Sequence, residues 1–148
     1  MSINESTHEA DRALLDAFAA GTLSPEQWRQ RNHVAVAFLL LEAYSFEEAL
    51  DRVRAGIRAT NAAHGVVESP TSGYNETTTV ALLRIIDTVR RAYAETFPAR
   101  TADEFCDRHP ELMSHHILRL FYTPARRMDP AAKHRFVEPD LAPLPRLE

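Results

Sequence analysis

The stretch VAVAFLLLEAYSFEEALDRV, residues 34–53, decides the fold. Val34 to Leu41 is apolar on nearly every side of a helix, and a helix apolar all round is a buried one. Ser45 stands three residues before Glu48, a capping box that starts a new helix. Phe46, Leu50, Val53 and Ile57 then follow at spacings of three and four, which makes one apolar stripe. Two helices joined this closely form an antiparallel hairpin. Residues equidistant from Ser45 therefore lie at one height, with His33 level with Ile57 and residues 28–30 level with 60–64.

Working outward, capping boxes recur. Ser6 with Glu9, Ser24 with Gln27 (Pro25 at the first helical position) and Thr101 with Glu104 each mark a helix start. The spacing predicts helices over 25–44, 46–63, 73–97, 102–108 and 110–122, after a first one that carries Leu14, Leu15 and Phe18. No alternating strand pattern appears beyond the β-branched run Thr77–Val80. The expected fold is all-α: a single domain over 1–148, as a bundle of five to seven helices. Residues 6–122 form the helical core, and 123–148 a short turn and a wrapping, proline-rich tail. The second helix is expected at the centre. Phe136, Val137 and Leu141 are expected to anchor the tail.

Composition narrows the function classes. The chain of 148 residues is 45% hydrophobic and carries 17 basic and 21 acidic side chains, a net charge of −4. That balance disfavours a nucleic-acid surface, which needs a basic patch. The interleaved arginines read as a solvated face. No apolar run reaches the roughly 18 residues of a membrane span. The N-terminus has neither the basic nor the apolar region of a secretory signal, so a cytoplasmic location is expected. Cys106 is the sole cysteine and reads as a small core residue.

Polar residues gather at one end of the expected bundle. Asn61 and His64 continue the inward stripe of the third helix, at the end where Trp28, Gln30 and His33 sit. SGYNET, residues 72–77, opens the fourth helix at that same end with Tyr74, Asn75 and Glu76. Inward polar groups cost free energy unless they are paired or used. His33 beside Glu76 is the pairing expected to do acid–base chemistry. Trp28, Gln30, Asn61, His64, Tyr74 and Asn75 are expected to hold a substrate. His116 shares a helical face with Met113, Ile117 and Leu120 and suits a core or a lining role. Compact ligand pairs such as H-x-x-x-H are absent near this cluster, and glycine is too scarce (4 in all) for a phosphate-cradling loop.

WRQRNHV (28–34), NAAHG (61–65), GYNETTT (73–79) and FVEPDL (136–141) resemble a family of small bacterial proteins. That family carries W-T-H-x-x-H-L, N-x-x-x-G, G-Y-H-E-T-x-T and F-V-E-P-D-L segments. The resemblance covers about 28–141. It implies an all-helical domain whose histidines and glutamate line one site suited to a metal, and it implies no reaction. Here Gln30 and Asn75 stand where the family has histidines, so only His33 and Glu76 remain of four implied ligands. Amides are poor ligands for zinc or iron. The expected function is a small-molecule enzyme doing metal-free proton transfer, such as isomerisation, elimination or cyclisation, without a cofactor. The alternatives are a non-catalytic protein binding a small molecule or partner, and a divalent-metal enzyme with a reduced ligand set. The expected partner is a small-molecule ligand; homodimerisation is left open.

Overall fold

The computed structural model describes residues 3–147, with side chains from residue 8 onward. Seven α-helices are present among the described residues: α1 (Ile3–Ala20), α2 (Gln30–Ala43), α3 (Phe46–Ala63), α4 (Glu76–Ala92), α5 (Ala102–Arg108), α6 (Pro124–Arg127) and α7 (Pro130–His134). Two 3₁₀ turns, Pro110–Met113 and Ile117–Leu120, stand between α5 and α6. No strand is present among the described residues, so the chain is all-α.

Helix α2 is the centre, packed by α1, α3, α4 and α5. Its residues Val34–Phe38, Leu40 and Leu41 are buried, as the all-round apolar pattern predicts. Phe38 stacks on Phe105 of α5 at 4.4 Å between ring centroids. Helix α1 crosses α3 closely because Gly56 leaves room for the Phe18 ring; a Cβ there would collide with it. That contact carries Phe18 to the edge of the functional region.

Three boundaries differ from the sequence reading, each for a local reason. The box at Ser24 forms: Gln27 Oε1 accepts from the Ser24 N–H at 2.9 Å, and Ser24 Oγ accepts from the Gln27 N–H at 3.2 Å. It closes only one turn, because Arg29 is extended (φ −119°, ψ 175°) and α2 restarts at Gln30. The Asn32 amide donates to the Gln27 carbonyl at 2.6 Å, a second bond on an acceptor that also takes the Arg29 N–H at 3.0 Å. The expected helix over 110–122 divides because Ser114 is extended and its hydroxyl accepts from the His116 N–H at 3.2 Å. A side chain bonding its own backbone competes with the helix there. Helix α4 stops at Ala92, since residues 94–97 are exposed and have little apolar surface to bury. At the other end α1 is under way from Ile3, so Ser6 lies inside it. The side chain of Ser6, and with it the expected first box, lies outside the described residues. Ser45 and Thr101 cap α3 and α5 where expected, accepting from the Glu48 and Glu104 N–H groups. The return bond of a full box is not formed: Glu48 accepts from Arg52, and Glu104 accepts from the Arg100 N–H.

The tail lies along α4. Fully buried Thr77 accepts from the Val137 N–H at 3.1 Å and donates to the Arg135 carbonyl at 2.9 Å. The Tyr122 hydroxyl donates to the Val137 carbonyl at 2.8 Å. Asp140 accepts from the Thr123 N–H and hydroxyl at 2.8 and 2.6 Å. Phe136 and Val137 pack on the core. Leu141 does not: its side chain is 55% exposed, and the residue is held by its N–H, which donates to the Phe121 carbonyl at 2.9 Å.

Replacing Thr77 by Val removes one donor and one acceptor from a dry contact. The expected loss is about 1–3 kcal/mol, read as a lower urea midpoint, with Thr77→Ser close to the parent. A Thr77→Val midpoint equal to the parent's would show that the tail does not depend on this hydroxyl.

Candidate functional site

SGYNET builds the site, and each of its side chains has a definite partner. Gly73 has φ +91°, a conformation open chiefly to glycine, and the Glu68 carboxylate occupies the space a Cβ would need. Glu68 Oε1 accepts from the Tyr74 N–H at 2.9 Å. Lys133 of α7 donates to Glu68 Oε2, the Ser72 carbonyl and the Tyr74 carbonyl at 2.8–2.9 Å. The Asn75 side chain caps α4 by accepting from the Thr78 N–H at 2.9 Å. The Thr79 hydroxyl donates to the Asn75 carbonyl at 2.9 Å.

Glu76 points inward but away from His33. Arg54 of α3 grips it with a fork, Nε to Oε1 at 3.0 Å and Nη2 to Oε2 at 2.6 Å. The Tyr74 hydroxyl donates to Oε1 at 2.5 Å. Burial works to raise the Glu76 carboxyl pKa, and the bonds from Arg54 and Tyr74 outweigh it, leaving the group below its ordinary range. Burial, and next the carboxylate it serves, push the Tyr74 hydroxyl up to about 12. Glu76 is therefore a fixed anion and Tyr74 a fixed donor.

Two spaces flank this constellation. The inner one is a chamber of about 220 Å³ between α2, α3 and α4, walled by Phe18, Trp28, Ile57, Leu82 and Leu83, with His33, Asn61, Asn75 and Thr78 as polar interruptions. The outer one, about 420 Å³, is lined by Arg54, Arg58, Glu68, Glu76, Lys133 and His134. Asn61 and Tyr74 line both. The broken α2 start matters here, because it frees Trp28 to stack on Phe18 (5.1 Å) and lean on His33 (4.1 Å).

His33 is the titratable group of the chamber. Its Nε2 is buried with no hydrogen-bond partner. Burial lowers its pKa from 6.5 to about 4, so the imidazole is neutral at neutral pH.

The expected convergence is partial. Trp28, His33, Asn61, Tyr74 and Asn75 meet at the chamber. The expected His33–Glu76 pair is not formed, because Arg54 and Tyr74 hold the carboxylate at the outer space. Gln30 leaves the cluster and donates to the Leu112 carbonyl at 2.9 Å, stitching α2 to the first 3₁₀ turn. His64 closes α3 and bonds the Leu23 carbonyl through Nε2 at 2.7 Å, which anchors the α1–α2 loop. His116 is exposed, since the break at Ser114 turns it out of the expected helical face. Cys106 is a core residue, and burial pushes its thiol up to about 11.

The four positions that the resemblance marks as ligands do not aim at one point. Gln30 bonds a distant carbonyl, Asn75 caps a helix, Glu76 is gripped by Arg54, and only His33 is unengaged. Among the described residues no group of three or more His, Cys, Asp or Glu is placed to hold a metal ion. The side chains present do not fit a metal at this position.

Sequence reasoning missed Arg54, Arg58 and Lys133. Arg54 and Arg58 stand four residues apart, on one helical face beside the inward stripe, a signal that was readable. Lys133 arrives from a distant segment and leaves no local trace. No family model, no curated protein and no solved structure matches the chain, and no described helix is long and apolar enough to cross a membrane.

The His33 shift gives a signed pH dependence. The unfolded chain takes up a proton on this imidazole near pH 6.5, while the folded one resists until about 4. Stability is full above 6.5 and falls through that window, by roughly 3 kcal/mol in total. Below about 4 this loss stops growing. The paired carboxylates Glu76 and Asp140, with lowered pKa values, add their own loss only at lower pH. A His33→Gln variant should lose much less between pH 6.5 and 5 in urea unfolding; a parent-like slope there would refute the assignment.

Proposed function

We propose that this chain is a small-molecule-binding protein, whose ligand places an apolar body in the chamber under Trp28 and a hydrogen-bonding group against His33. One observation carries this reading. Buried polar atoms are normally paired, yet here an imidazole whose buried nitrogen has no partner lines a half-open, mainly apolar cleft of about 220 Å³. Pockets that are mainly apolar with a few polar groups are the usual form of ligand sites. Binding suits the electrostatics as well, because a neutral imidazole is desolvated at little cost.

A second reading, proton transfer by His33, is favoured by the same orphaned nitrogen. A neutral imidazole is a base, although a pKa near 4 is far from the optimum close to working pH. Glu76 cannot assist from its place in the Arg54 fork. Turnover lost with binding retained in His33→Gln would favour the enzyme.

The binding reading has a direct optical test, because Trp28 is the sole tryptophan. Adding 1-octanol or octanoate should change Trp28 emission saturably and raise the melting temperature, since a ligand held only by the folded state stabilises it. Ala37→Leu, which intrudes on the chamber wall, should weaken both effects at least tenfold. Emission and melting unchanged by either compound would overturn the reading.

A further inference from the structure

We propose that the ligand is a monoanionic amphiphile, a carboxylate whose mainly apolar body carries one further hydrogen-bonding group for His33, and that Arg58 with Asn61 receives its carboxylate at the mouth of the chamber. Octanoate is the minimal probe of that carboxylate site. This inference rests on the binding reading above and names the class of molecule bound.

The argument starts from the charges of the outer space. Three strong cations line it, Arg54, Arg58 and Lys133, against two carboxylates, Glu68 and Glu76. Arg54 is engaged by Glu76, with Asp51 on its other nitrogen, and Lys133 is engaged by Glu68. Among the described residues these ion pairs leave Arg58 as the lining cation without one. Its guanidinium lies over the Tyr74 ring at 4.3 Å. The ring holds it there by cation–π attraction, leaving the guanidinium edge able to meet an incoming group. Tyr74 itself is locked by its bond to Glu76, so the platform beneath the cation is rigid.

Position links this cation to the chamber. Asn61 is one turn along α3 from Arg58 and lines both spaces, as does Tyr74. A molecule whose apolar body lies against Trp28, Ile57 and Leu82 has its polar end directed past Asn61 towards Arg58. Planar guanidinium matches a carboxylate with two parallel hydrogen bonds, and an amide N–H supplies a third donor.

The charge balance also selects the head group. Arg58 bonds no carboxylate, although its charge already acts at longer range on Glu68 and Glu76, so the site accepts one added negative charge better than two. A dianion such as a phosphate monoester would leave a surplus charge facing Glu68 and Glu76, which line the same space, and like charges at such range repel. A neutral alcohol would leave Arg58 unmatched.

The test compares octanoate, 1-octanol and octyl phosphate by titration of Trp28 emission in the full chain. Octanoate is expected to bind at least tenfold tighter than 1-octanol, with that margin shrinking as salt is added. Arg58→Gln should remove the margin, and Arg58→Lys should keep most of it. Arg58 is exposed and makes no ion pair, so these variants are expected to melt near the parent. Equal binding of octanoate and 1-octanol, or a margin that survives Arg58→Gln, would overturn the anion site while leaving the chamber reading intact. Octyl phosphate binding tighter than octanoate would overturn the choice of carboxylate. If none of the three perturbs Trp28, both this inference and the binding reading fall.

Discussion

The arrangement depends on the fork between Arg54 and Glu76. It joins the middle of α3 to the first turn of α4 through two charge-assisted bonds, which are short, directional and stronger than neutral ones. Glu76 also benefits from its place at a helix N-terminus, where the backbone dipole favours a negative charge. Because the carboxylate must face Arg54, α4 starts at a fixed rotation about its own axis. That rotation aims Thr77 at the tail and Thr79 back at the Asn75 carbonyl, and it brings Tyr74 up as a wall. The fork is thus structural, although it occupies the position where sequence reasoning looked for catalysis.

The wall separates two electrostatic regimes. On the outer side Arg54 and Lys133 are paired with carboxylates at an open surface, where fields are screened. On the other, His33 sits among Trp28, Val36 and Ile86, where the charged form of an imidazole is costly. A single carboxylate therefore acts as a divider: it satisfies Arg54 and Tyr74 while leaving His33 without an anion to stabilise its proton. Had Glu76 turned the other way, the imidazole pKa would have risen and Arg54 would have kept only its exposed pairing with Asp51.

The segments GYNETTT and FVEPDL, far apart in the sequence, meet in space. GYNETTT starts α4, and FVEPDL is the tail that Thr77, Tyr122 and Thr123 hold against it. In this chain much of their chemistry goes into capping, turn formation and strapping: Gly73 for its positive φ, Asn75 for its cap, Asp140 for Thr123. Tyr74 and Asn75 reach the chamber as a consequence of that scaffold.

The local code of this protein was legible in its residues. Apolar periodicity and caps at Ser45 and Thr101 determine the helices and the all-α class, because caps and stripes act over a few residues. The hairpin about Ser45 likewise placed His33 level with Ile57, and Trp28 at the end of the bundle that Asn61 occupies. Tertiary structure decided what those residues do. His33 lines the inner space and Glu76 the outer one, because Arg54, a full charge, outcompetes a neutral imidazole for the carboxylate. Gln30 and His64 were drawn off by carbonyls of Leu112 and Leu23, partners that no local pattern announces. Lys133 reached the site only through the packing of the tail. Side-chain direction at such positions is settled by competition among partners distant in the chain, and that competition exists only once the helices have packed.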